Sequence, residues 1–261
     1  MKNLFILFLC LYSFGLQGAT IDTSVAGFIP LASSGRLVYN FNSGWRFHRG
    51  DVKEAEITAF DDSSWEIVST PHTVELMPAE ASGCRNYQGK AWYRKRFVLP
   101  RETRGKEAFL YFEAAMGKQE VYVNGALVRK HLGGYLPFSI NLTAVHVAPG
   151  DTCLVAMIVY NSDDKSYPPG KPQNTLDFAY HGGIYRDVWL IAKSPVSITD
   201  AVEAGHVAGG GVFVHYDRIS DKSAEVFINT EVENHDKTLR TVTVESVLEN
   251  AEDRKSTRLN S

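Results

Sequence analysis

The side chains with the most chemical potential sit in a few loops. Adjacent carboxylates occur at Asp61-Asp62 and at Asp163-Asp164, and two carboxyl groups are what acid and base work on one bond would need. Both pairs lie among turn residues, so they read as solvated turn carboxylates. The eight histidines, His48, His72, His131, His146, His181, His206, His215 and His235, show no i, i+4 helical pair and no cysteine partner at zinc spacing. No metal site is expected from them. What remains is Asp177 and His181, inside Leu176-Asp177-Phe178-Ala179-Tyr180-His181-Gly182-Gly183-Ile184-Tyr185-Arg186-Asp187-Val188-Trp189, and Asn86 in Arg85-Asn86-Tyr87-Gln88-Gly89. By residue type alone, an aspartate before an aromatic in a loop is a turn or capping residue, and a loop amide bonds backbone.

Positioning these loops falls to β-structure. From Val38 to about Lys193 the chain alternates short apolar or aromatic runs with turn residues and has no long helical period, which is an all-β signal. Strands are expected at Trp45 to His48, Ala91 to Val98, Ala108 to Glu113, Glu120 to Val123, Ala126 to His131, Phe138 to Asn141, Cys153 to Tyr160 and Asp187 to Ala192. So many short strands suggest a sandwich. Asn124-Gly125 between Val121 and Val128 marks a hairpin, because these two residues accept the positive φ angles of a type I′ turn. Pro168-Pro169-Gly170-Lys171-Pro172 cannot be strand interior. Ser194-Pro195 reads as a linker, followed by β runs at Gly211 to Tyr216, Ala224 to Asn234 and Thr238 to Leu248. Three strands do not finish a sandwich of about seven. The tail Arg254 to Ser261 has no apolar period and reads as non-native sequence.

Composition narrows the partners. A net charge of -3 without a basic cluster argues against nucleic acid. Met1-Lys2-Asn3 followed by the apolar run Leu4 to Tyr12 has the layout of a secretory leader over residues 1–19, with a linker over 20–34, so a secreted or periplasmic protein is expected. That run is too short to span a bilayer, and no later segment reads as a membrane helix. Without the leader only Cys84 and Cys153 remain; export permits a disulfide between them without requiring one. Cys153 lies in an apolar run and reads as a core thiol.

Four segments carry a resemblance, in order. They are Gly44-Trp45-Arg46-Phe47 with Phe60 to Trp65 and Pro71-His72; Arg85 to Phe97; Val121 to Gly125 with His131-Leu132-Gly133-Gly134-Tyr135-Leu136-Pro137-Phe138; and the Asp177 segment. Together they resemble the amino-terminal sugar-binding domain of glycoside hydrolase family 2, the family of β-galactosidases, β-glucuronidases and β-mannosidases. The resemblance implies a jelly-roll-like, galactose-binding-like β-sandwich over 35–194, then an incomplete immunoglobulin-like sandwich over 195–253. It also implies a catalytic barrel of roughly 250 residues, for which the residues after Trp189 are too few, so the chain reads as a fragment that is inactive alone.

In that family two glutamates on the barrel carry the retaining chemistry, and the aspartate matching Asp177 contacts hydroxyls of the terminal sugar, in some members beside a sodium ion. The chemistry is sound, since an ionised carboxylate offers only acceptors and takes hydrogen bonds from two vicinal hydroxyls. Asn86 and His181 are the lesser candidates for substrate contact. Phe178, Tyr180 and Tyr185 read as core in preference to stacking surfaces, Gly182-Gly183 as a close backbone approach or a positive φ, and Arg186 and Asp187 as partners of each other or of the next domain. No cofactor is expected in this chain; sodium or magnesium, and homo-oligomers, belong to the intact parent. The parent is expected to be a β-galactosidase, the alternatives being a β-glucuronidase, a β-mannosidase or a non-catalytic carbohydrate-binding module.

Overall fold

The computed structural model describes residues 34–78, 82–83, 85–249 and 256–259. The leader expected at 1–19, nearly all of the linker at 20–34, and Cys84 lie outside the described residues. Ten strands build the first unit: β1 Leu37–Asn40, β2 Trp45–Arg49, β3 Glu66–Val68, β4 Gly89–Val98, β5 Glu107–Phe112, β6 Lys118–Val123, β7 Ala126–Leu132, β8 Phe138–Asn141, β9 Thr152–Asn161 and β10 Val188–Lys193. They form a six-stranded sheet, in the order β3-β2-β4-β9-β6-β7, facing a four-stranded sheet in the order β1-β10-β5-β8. Every pairing is antiparallel. The expected all-β sandwich is what the chain folds into.

Alternation makes the sandwich. In β5 and β6 buried residues recur at every second position, as the two-residue pleat requires. Between the sheets lie Phe41, Trp45, Tyr93, Phe97, Leu110, Phe112, Phe138, Val155, Met157 and Leu190. Phe41 meets Phe97 edge-to-face at 4.9 Å between centroids, and Phe112 stacks on Phe138 at 4.8 Å. Each such side chain contributes about 1.5–3 kcal/mol by leaving water. Cys153 is a free, buried thiol in this core, and burial pushes it up to about 12.

The Asn124-Gly125 turn has both φ values positive, 50° and 87°, as the hairpin reading requires. Two strands of this unit escaped the sequence reading, β1 and β3, short segments of four and three residues. They are extended because neighbours at the sheet edges supply partners.

β4 and β9 depart from simple alternation, being buried nearly throughout. Their second face is covered by the loop over residues 50–65, which brings Ala55 and Trp65 against Trp92, Ala156 and Ile158. Arg94, fully buried, organises that loop. Its Nε donates to Asp62 at 2.7 Å, its Nη1 to the carbonyls of Ala55 and, at 3.2 Å, Ile57, and its Nη2 to the carbonyl of Phe60 at 3.4 Å. Arg96 adds a second bond to Asp62 at 3.0 Å and one to the Thr58 carbonyl at 2.6 Å. Asp62, expected to be a solvated turn residue, is instead the countercharge of two arginines.

After the first unit come β11 Val196–Ile198, β12 Val212–Asp217, β13 Glu225–Thr230, β14 Val232–Asn234, β15 Ser246–Glu249 and β16 Ser256–Leu259, paired as β11-β14, β12-β13 and β15-β16. The run expected from Ala224 to Asn234 is split at Glu231, whose N–H and carbonyl bond Gly211 and Thr199 as the chain passes from one partner strand to another. The run expected from Thr238 to Leu248 is strand only from Ser246, because among the described residues no neighbouring strand pairs with the earlier ones. Among the described residues these pairs do not close a second sandwich, and Val212, Val214 and Tyr216 stay exposed. Ion pairs tie this part to the first unit: Arg129 to Glu203 at 3.1 Å and Lys193 to Glu233 at 2.6 Å.

Breaking a buried ion pair on one side costs about 3–5 kcal/mol. Arg94→Met is therefore expected to lower the unfolding free energy by that amount, read as a shift of the urea midpoint at constant slope. A loss under about 1 kcal/mol would mean that the guanidinium is dispensable to the loop.

Candidate functional site

Asp177 lies between a single 3-10 turn over Gln173–Thr175 and β10. Leu176 and Tyr180 are buried, whereas Asp177 and Phe178 are exposed. Residues 177–179 thus form an arch, exposed at Asp177 and Phe178 and half-buried at Ala179, between two buried feet. At the first foot the Leu176 carbonyl accepts the Gly83 N–H at 2.7 Å. At the second, the Tyr180 carbonyl accepts the side-chain amide of Asn86. Leu176 and Tyr180 also pack together with Met116, and Tyr185 lies against this cluster.

The Asp177 carboxylate makes no hydrogen bond or ion pair with any described residue. An unspent carboxylate at the crest of a pinned arch can accept two hydroxyl protons from a ligand without first giving up a protein partner. His181 is also exposed and also makes no described hydrogen bond.

Asn86 is different. It is 4% exposed, its Nδ2 donates to Tyr180 and its Oδ1 accepts Asn161 Nδ2 at 3.1 Å. Both ends of that amide are occupied by protein, so in this structure Asn86 shapes the arch and does not present itself to a ligand. Phe178, expected in the core, is 43% exposed, because it sits beside Asp177 between the feet. Tyr180 is core as expected; its hydroxyl bonds Tyr167, and burial pushes it well above the usual phenol range.

Beyond the arch the chain runs edge to edge between other segments. Gly182 O accepts Val74 N–H at 3.0 Å, Gly183 O accepts Met116 N–H at 2.9 Å, and Ile184 O accepts His72 N–H at 2.7 Å. Both glycines are required sterically. Gly183 has φ +97°, and a Cβ there would stand 2.3 Å from the Tyr93 hydroxyl; one on Gly182 would stand 2.2 Å from Asn161 Oδ1. Arg186 and Asp187 do not pair with each other. Asp187 accepts Asn42 Nδ2 at 2.6 Å, while Arg186 lies 5.8 Å from the Tyr185 ring centroid. Asn42 also takes Thr70 Oγ1 and the Val188 N–H, each at 2.8 Å, on its Oδ1.

Asn161, Gly83, Asn42 and the His72–Tyr93 pair were not singled out from sequence. Asn161 ends an apolar run and precedes Ser162-Asp163-Asp164, so it reads as the first residue of a turn. No local signal reveals a partner 75 positions away.

The acidic pairs offer no acid–base couple. Asp61 accepts the Ser63 N–H, Asp62 holds the two arginines, Asp163 accepts the Gln173 N–H and Asp164 accepts Ser166. A retaining glycosidase needs two carboxyl groups about 5–5.5 Å apart with those groups free to act. Among the described residues no group of three or more His, Cys, Asp or Glu side chains gathers to hold a metal ion. A cavity of about 1060 Å³ lies elsewhere, between the outer face of the four-stranded sheet and the Thr199 to Glu203 stretch, and Asp177 does not line it.

Comparison with known proteins agrees with this layout. Residues 42–195 match the family model described as "Glycosyl hydrolases family 2, sugar binding domain". A β-glucuronidase of Formosa agariphila is 32% identical over 225 residues, covering 82% of this chain and 23% of that protein. A β-galactosidase of Thermoanaerobacter pseudethanolicus is 33% identical over 198 residues, covering 76% of this chain and 25% of that protein. Among solved structures, a β-glucuronidase from glycoside hydrolase family 2 superposes with a TM-score of 0.68 at 29% identity, over 89% of this chain and 26% of that one. The chain spans about a quarter of the length of the curated relatives it matches.

His72 gives the site's surroundings a pH dependence. Its Nδ1 lies 2.9 Å from the Tyr93 hydroxyl, and burial holds its pKa below the ordinary imidazole value, as burial and Arg129 do for His131. The folded state therefore binds these protons less readily than the unfolded chain, whose imidazoles titrate near 6.5. Stability is full above that value and falls as pH drops through it. The urea midpoint is expected to fall between about pH 7 and pH 5, and to fall less in His72→Gln. An unchanged midpoint over that interval, or an unchanged slope in the variant, would contradict this.

Proposed function

The chain belongs to glycoside hydrolase family 2, and from that premise we propose that it is the sugar-binding part of an exported enzyme that removes terminal β-D-galactosyl residues with retention. The observation that carries the reading is the Asp177 carboxylate, exposed, without a partner among the described residues and held between two buried feet. Its role is to accept hydroxyl protons of the terminal sugar and to fix the ring while other carboxyl groups do the chemistry. Such a contact needs no proton transfer and no cofactor.

Relatives named β-galactosidase and β-glucuronidase match comparably, so the choice of sugar rests on charge. An unpaired carboxylate attracts neutral vicinal hydroxyls and repels a uronate carboxylate brought near it. That favours the galactoside over the glucuronide. The β-glucuronidase reading is the second, supported by the names of several relatives. The acidic pairs within this chain are committed to structural bonds, which supports a division of labour in which the reacting carboxyl groups lie on another domain.

Two expectations follow. In the full-length protein Asp177→Asn keeps one acceptor and loses the charge, and kcat/KM for a nitrophenyl β-galactoside is expected to fall at least about tenfold, the worth of one charge-assisted hydrogen bond, with an unchanged melting temperature. Wild-type kinetics would remove Asp177 from the substrate contact. The purified 261-residue chain is expected to release no nitrophenol from galactoside or glucuronide; turnover by it would overturn the division of labour.

A further inference from the structure

We propose that Asn161, which has no solvent-exposed surface and so no access to a ligand, is the residue that positions Asp177. The inference deepens the sugar-contact reading, but its structural half stands apart from it. Both feet of the arch are held by one stretch: Gly83 supplies the N–H for Leu176 O, and Asn86 supplies the amide for Tyr180 O. That stretch is in turn tied to the six-stranded sheet by Asn161. The two protons of its Nδ2 go to Asn86 Oδ1 at 3.1 Å and to the Tyr87 carbonyl at 2.7 Å.

The same side chain also meets the backbone just past the second foot, since it fills the space where a Gly182 Cβ would stand. One buried amide thus sets the orientation of the Asn86 amide and the depth of the backbone two residues past Tyr180. Nothing else described bonds Asn86 Oδ1. Remove the Asn161 donor and Asn86 can rotate, its own donor leaves Tyr180 O, and the second foot is loose. Asn161 acts on Asp177 through Asn86 and Tyr180, a positioning residue with no chemical part in any reaction.

Asn161→Asp is the test, because it keeps shape while replacing the two N–H donors with an acceptor facing two acceptors. In the full chain, hydrogen exchange at the Gly83 and Val74 amides, which bond Leu176 O and Gly182 O, is expected to accelerate at least about tenfold while the β4–β9 ladder amides keep their rates. Asn86→Asp retains the acceptor that Asn161 uses and loses the donor to Tyr180, so it should give the same local pattern even if Asn161→Asp folds poorly. Wild-type rates at Gly83 and Val74 in both variants, or a uniform acceleration across the sheet, would overturn the proposal.

In the full-length protein, Asn161→Asp is expected to lower kcat/KM about tenfold, but less than about twofold when Asp177 is already Asn, since coupled sites are not additive. Full additivity would also overturn it. If the exchange pattern appears while Asp177→Asn keeps wild-type kinetics, the sugar contact fails and the positioning stands. If Asp177→Asn is impaired and the feet stay protected in both variants, the positioning fails alone.

Discussion

The ten-pair antiparallel register between β4 and β9 is the constraint from which the rest follows. It runs from Gly89 opposite Asn161 to Val98 opposite Thr152, and a slip of β4 by one residue would turn each of its inward side chains to the other face. Tyr93 and Phe97 would leave the core between the sheets, and Arg94 would enter it. The same register brings the end of β9 beside the residues that lead into β4. Asn161 meets Asn86 and Tyr87 because of where a ladder begins, and that ladder is specified by burial across the whole sheet. Site geometry and core packing are therefore one problem in this protein.

Because both faces of the central strands are covered, the six-stranded sheet carries cations where apolar residues would be simpler. Lys95 is 3% exposed, with its Nζ 2.7 Å from the Phe41 carbonyl and 3.7 Å from the Phe41 ring centroid. Arg94 is buried on the opposite face with carbonyls and a carboxylate around it. Each cation costs desolvation, which its partners offset. What such groups add over apolar packing is direction: a guanidinium that must meet three carbonyls and Asp62 admits one path for the covering loop, whereas a leucine would admit several.

Much of this was legible in the residues. Eight of the ten strands of the sandwich followed from alternation and turn chemistry, and the Asn124-Gly125 hairpin from the positive φ that its turn demands. The pair Gly182-Gly183 was rightly read as a place of close approach. What stayed hidden was long-range. β1 and β3 exist because an edge needs a partner, the run after Thr238 fails because it finds none among the described residues, and Asp62 became the countercharge of two arginines, Arg94 and Arg96, 32 and 34 positions away. At the arch, Asp177 could be singled out, yet the inward turn of Asn86 and the outward turn of Phe178 depend on the two feet, and neither foot has a local signature.

The arrangement of those feet has a consequence for divergence. Since Leu176 is moored to Gly83 and Tyr180 to Asn86, the crest between them is a cassette whose contents the sandwich does not read. Residues 177–179 can be exchanged, and with them the polarity offered to a ligand, while the mooring and every layer beneath it stay as they are. A scaffold built this way lets recognition drift among related molecules at little cost to folding, so kinship in the framework and disagreement over the ligand are natural companions.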